Sequence, residues 1–145
     1  MAPNIETAGH ASPAVHPGLI TLPSTFAVAE TTERLARVIE SKGLTVFCRI
    51  DHAANATSAG LSMRPTVVLI FGNARGGTPL MQAQPTLGID LPLKALAWED
   101  ASGGTWLSYN DPAWLASRHG LDSGVPAVVA LREALGAMTR AATMP

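Results

Sequence analysis

Few residues in this chain combine a reactive type with a suggestive position. Asp51-His52 directly follows an apolar alternating run, and a histidine there could act as a general base at neutral pH. The plainer role has Asp51 capping a short helix and His52 packing at the sheet edge, and it is favoured because sequence neighbours do not by themselves form an acid–base pair. The stretch Leu69 to Met81 runs LIFGNARGGTPLM, so Gly72 and Gly77-Thr78 bracket four residues. That is close to a phosphate-cradling loop, but its lysine is missing and Pro79 removes a backbone donor. Nucleotide binding is therefore not expected. A sharp glycine turn, with Thr78 capping and Pro79 opening a short helix, fits better. A weak anion site built from Arg75, Gly77 and Thr78 stays open.

Cys48 alternates with Val46 and Ile50, which favours a buried, inert thiol over a reactive one. The four histidines, at 10, 16, 52 and 119, show no metal-ligand spacing, so no metal and no cofactor are expected. Trp98, Trp106, Trp114 and Phe47 could stack bases. Core or interface packing is favoured instead, because the net charge of -1 supplies no positive field for nucleic acid. The basic residues lie scattered from Arg34 to Arg140, with no run suited to a membrane surface.

Elements must hold these groups in place. With 145 residues, 47% of them hydrophobic and 14% charged, the chain suits one compact domain. Residues 1–20, rich in Ala, Pro and Gly, read as a flexible tail before a domain over 21–145. The segment TFAVAE, 25–30, reads as the first strand. A helix follows with Thr31 or Thr32 as cap, a stripe of Leu35, Val38 and Ile39, and Gly43 as its left-handed stop. LTVFCRI reads as a strand with Leu44, Val46, Cys48 and Ile50 on one face and Thr45, Phe47 and Arg49 on the other. PTVVLIF is apolar on both faces and reads as a central strand. One or two short helices are expected between Thr78 and Asp90. LPLKALAWED and TWLSYN read as a hairpin across Ser102-Gly103-Gly104. Asp111 caps a helix with Pro112 at its first turn, and Val128, Leu131, Leu135 and Met138 form the stripe of a last helix. Strands in succession favour an antiparallel α+β sheet over a doubly wound parallel one.

The segments KGLTVFCRIDHAANATSAGL, PTVVLIFGN, GTPLMQAQPTLGIDLPLKALAWED and WLSYNDPAWLASRHGL, in this order and spacing, resemble the domain-of-unknown-function family 302. The likeness spans about residues 24–122. Ala74 stands where that family commonly has proline. The resemblance implies an α+β fold, a mainly antiparallel curved sheet of four to six strands with one layer of helices on one face, and no established activity. It also marks Asp51, His52, Phe71, Gly72, Asn73, Asp90, Leu91, Pro92, Tyr109, Asn110, Asp111 and Pro112 as family-pattern positions.

Polar residues at strand ends suggest where a ligand would sit. The expected cleft gathers His52, Asn73 and Tyr109, with Asp90 or Asp111 at its rim. It requires the connection from Asp51 to Arg64 to cross the sheet, because successive antiparallel strands end at opposite edges. The functional expectation is a small-ligand-binding or interaction module, homodimeric through Phe47 and the apolar sheet. The alternative is a small enzyme using His52 with Asn73 or Tyr109. The chain has no secretory pattern and no apolar run of membrane length, so a cytoplasmic protein without membrane or nucleic-acid partners is expected.

Overall fold

A computed structural model describes residues 12–145. The first eleven positions, including His10 and most of the expected tail, lie outside the described residues. The strands are β1 (Leu19–Ser24), β2 (Thr45–Asp51), β3 (Thr66–Gly72), β4 (Leu93–Glu99) and β5 (Thr105–Asn110). The helices are α1 (Val28–Ser41), α2 (His52–Ser58), α3 (Ala74–Ala83), α4 (Pro112–Arg118) and α5 (Pro126–Thr143), with a 3-10 turn over Pro85–Ile89. The strands form one sheet in the order β1-β5-β4-β3-β2, with every neighbouring pair antiparallel. The expected antiparallel α+β architecture is what the chain adopts.

Side-chain alternation gives the sheet two different faces. One rung, Arg49–Leu69–Ala95–Tyr109–Ile20, faces the helices. There Leu69, Phe71 and Leu107 pack with Leu35 and Ile39 of α1 and with Leu135 and Met138 of α5. Ala95 and Ala97 of β4, the middle strand, are fully covered, and their small side chains give the helices room to approach. The next rung, Ile50–Val68–Leu96–Ser108–Thr21, lies on the opposite face.

Four local readings differ from expectation. The first strand is Leu19–Ser24, and α1 starts at Val28 rather than after Thr31 or Thr32. Both threonines are buried in α1, with their hydroxyls satisfied. Thr32 Oγ1 donates to the Val28 carbonyl at 2.8 Å, and Thr31 Oγ1 shares a 2.7 Å bond with Ser24 Oγ. In β2 the register shifts between Val46 and Cys48. This bulge at Phe47 puts Val46 on the core side and Cys48 and Ile50 on the open side, breaking the expected common face. Cys48 is exposed, not buried. Arg49 consequently reaches Glu33 on α1 and, by hydrogen bond and charge, holds that carboxyl below its ordinary pKa. The pair is fully exposed and adds little stability. Finally, α3 begins at Ala74, so Pro79 lies inside the helix rather than at its start.

The β4–β5 hairpin, Asp51 and Asp111 as caps, and a left-handed Gly43 (φ 78°) follow the sequence reading. Gly18 (φ 74°) is more constrained: an added Cβ would sit 2.3 Å from the Trp114 ring of α4. Its carbonyl accepts from the Asp111 amide at 2.8 Å, so the start of β1 is tied to the start of α4.

The two faces should respond differently to truncation. Phe71→Ala, in the covered face, should lose about 3–5 kcal/mol in chemical denaturation, whereas Ile70→Ala beside it should lose about 1 kcal/mol. Equal losses in dilute solution would contradict the assignment of faces.

Candidate functional site

The uncovered face carries a groove of about 500 Å³. Val68, Lys94, Leu96 and Trp98 line its floor with Thr21 and Ser108, and Pro13, Ala14 and His16 form part of its wall. The floor's polar atoms are largely used within the protein. Trp98 Nε1 donates to Ser108 Oγ at 2.9 Å, and that hydroxyl shares a 2.8 Å bond with Thr21 Oγ1. Lys94 Nζ donates to the nearby Pro92 carbonyl at 3.3 Å. Trp98 stacks on Trp106 with ring centroids 6.3 Å apart, and Trp106 Nε1 donates to Asp100 Oδ2 at 2.7 Å. Volume and mixed lining both suit a small-molecule site.

The residues expected to share one cleft are spread out. Asp51 pairs with Val67 and Thr45 with Gly72, so the connection through α2 returns antiparallel and does not cross the sheet. His52 therefore sits at one end of the sheet and Asn73 at the other, about 20 Å apart along β3. Tyr109 shares its rung with Leu69, about 13 Å along the strand from Asn73. It also stands three strand spacings, about 14 Å, from β2 and His52. Its side chain is 7% exposed and packs in the core, although the residue borders the groove. Asn73 spends its side chain as the cap of α3, accepting from the Gly76 amide at 2.7 Å. That capping makes Ala74 the first residue of α3, so Arg75 lies in its first turn, and Gly77 and Thr78 lie within the helix rather than at its cap. The four aromatic residues form no common platform, since only Trp98 and Trp106 stack and Phe47 stands on the far strand.

Asp90 and Asp111 each gather partners of their own. Asp90 accepts two 2.9 Å bonds from Arg118 and lies 2.5 Å from His119 Nε2, and His119 Nδ1 is 2.8 Å from Thr86 Oγ1. This connectivity resembles nucleophile, base and acid. Thr86 stands on an exposed turn, however, and neither it nor His119 borders the groove or the small apolar cavity beneath α4. The arrangement ties α4 to the 3-10 turn. His119 was missed from sequence because its partners lie 29 and 33 positions away, with no local signature. Asp111 caps α4 through the Ala113 amide at 2.9 Å and meets Arg132 Nε at 3.3 Å. Among the described residues no group of three or more His, Cys, Asp or Glu is placed to hold a metal ion, and no helix is long and apolar enough to cross a membrane.

The fold is shared by a solved structure, that of an uncharacterized conserved protein DUF302 from Bacillus stearothermophilus. Its TM-score is 0.78 at 19% identity, covering 88% of this chain and 99% of that one. The family model described as Domain of unknown function DUF302 matches residues 20–142, and the chain belongs to this family. Among curated proteins the chain is similar to Fluoride-specific ion channel FluC 1 of Brucella suis biovar 1, 53% identical over 125 residues. It is similarly related to Fluoride-specific ion channel FluC 2 of Brucella melitensis biotype 1, also 53% identical over 125 residues. Both matches take in 85% of this chain but only 49% and 46% of those proteins, so the chain spans about half the length of the curated relatives it matches.

Removing the shared acceptor should cost more than removing the outer hydroxyl. Asp90→Ala strands both Arg118 and His119 and should lose about 1–3 kcal/mol, while Thr86→Ala should lose less than about 1 kcal/mol. Urea unfolding of the two variants checks this order.

Proposed function

We propose that this chain is a non-enzymatic binding and interaction module, working through the uncovered face of its sheet and forming a homodimer in the cytoplasm. The observation that carries the reading is the rung Ile50–Val68–Leu96, apolar across three strands on the face turned away from α1 and α5. A contiguous apolar surface of that kind serves association or ligand capture. At the β2 margin, Phe47 is 56% exposed beside exposed Cys48, which suits a self-complementary contact between two copies. The groove is lined by β1, β3, β4 and β5 and by no residue of β2, so dimerisation along β2 leaves it open.

The relatives fit such a module. In the Brucella proteins a region like this chain makes up just under half of a protein named as an ion channel. A domain without a membrane-length helix would there sense or couple rather than conduct. The enzyme alternative is set aside in this reading because His52, Asn73 and Tyr109 do not converge.

Sedimentation equilibrium tests the dimer. The expected mass is twice the 15.1 kDa of one chain. Ile50→Lys with Ile70→Lys, both on the open face near β2, should shift it to one chain without loss of helical circular dichroism. A wild-type protein that stays at 15.1 kDa at every attainable concentration would refute the dimer.

A further inference from the structure

We infer that the open-face groove takes a small amphiphilic monoanion, its carboxylate at Lys94 and its apolar body running along Leu96 to Trp98. This rests on the reading of the open face as a binding surface and names the ligand class. Lys94 and Trp98 lie four residues apart on one strand, hence on one face and about 13 Å apart, with Leu96 between them. Val68 flanks Leu96 on the next strand. The groove therefore carries a charge at one end and an apolar strip of Val68, Leu96 and Trp98 running from it, with Ser108 and Thr21 across from Leu96.

The charge is open to a ligand. Among the described residues no Asp or Glu lines the groove and Lys94 forms no ion pair. Its one hydrogen bond is to a carbonyl two residues away, at 3.3 Å. An ammonium beside apolar walls gains more from a carboxylate than from a neutral group. The rest of the floor makes no matching polar demand, because Ser108 and Thr21, level with Leu96, and the Trp98 N–H are bonded to one another. A ligand polar along its whole length would lose hydration there without new partners. Pro13, Ala14 and His16 wall the groove, so a small molecule reaches its floor where the flat face of a second copy would not. A single lysine is also too little for nucleic acid.

The test titrates the full-length protein with decanoate, decanol and decylamine, following tryptophan emission, with Trp98→Phe assigning the signal. Decanoate should bind at least about tenfold tighter than decanol, the margin of one charge-assisted hydrogen bond. Decylamine should bind weakest. Lys94→Gln should abolish the preference for decanoate, and Lys94→Arg should keep it. Unchanged melting of both variants ensures that the fold is intact. If decanol matches decanoate, or the preference survives Lys94→Gln, the anion assignment is wrong while the binding groove stands. If none of the three binds, the groove is not a ligand site, and the binding reading fails with it.

Discussion

A five-stranded sheet has two faces, and α1 and α5 pack against one of them. The remaining features of this molecule follow from that constraint. The covered face must be apolar and closely packed, so Leu69, Phe71 and Leu107 are almost fully removed from water and the middle strand carries Ala95 and Ala97. The uncovered face obeys a different rule. Its residues must tolerate water while keeping strand propensity, which Ile50, Val68 and Ile70 do by β-branching. That face is where a surface remains for anything other than folding.

Polar groups follow the same division. On the open face Trp98, Ser108 and Thr21 satisfy one another across β4, β5 and β1, leaving Lys94 as the groove's available charge. Beyond the strand ends, Asp90 and Asp111 draw Arg118, His119 and Arg132 into ties between α4 and its surroundings. These are fastening interactions set on the turns, and they leave the sheet's open side unobstructed.

Much of this was legible in the sequence wherever local chemistry decides the outcome. Asp111-Pro112 signalled α4, and the glycines after Ser102 signalled the hairpin; the succession of strands signalled antiparallel pairing. Errors arose where distant partners decide. The first strand was expected at 25–30, but β1 lies at Leu19–Ser24, where Pro23 is tolerated because β1 is an edge strand. The threonines of α1 looked like caps because nothing local shows that Ser24 or the Val28 carbonyl would receive their hydroxyls. One bulge at Phe47 reversed the faces of Cys48 and Arg49, and period-two counting cannot foresee it. The expected cleft failed for a topological reason: α2 returns the chain beside β2 instead of carrying it across the sheet. The groove itself had no motif, because it assembles from four strands and the segment before Gly18.

The strand order also sets a schedule for synthesis. β2 to β5 can pair one after another as they emerge, but β1, made before them, has its neighbour among the described strands in β5. Thr21 must wait for Ser108, 87 positions later, and α1 must wait longer still for α5. Until then the apolar stripe of Leu35 and Ile39 has only part of its cover. On a ribosome delivering about 5–20 residues each second, that interval lasts on the order of seconds, far longer than the forming of a helix or hairpin. The nascent chain is thus most exposed to aggregation before its last helix appears, and the clasp of Gly18 on Trp114 closes late, after the sheet's other edge is already built.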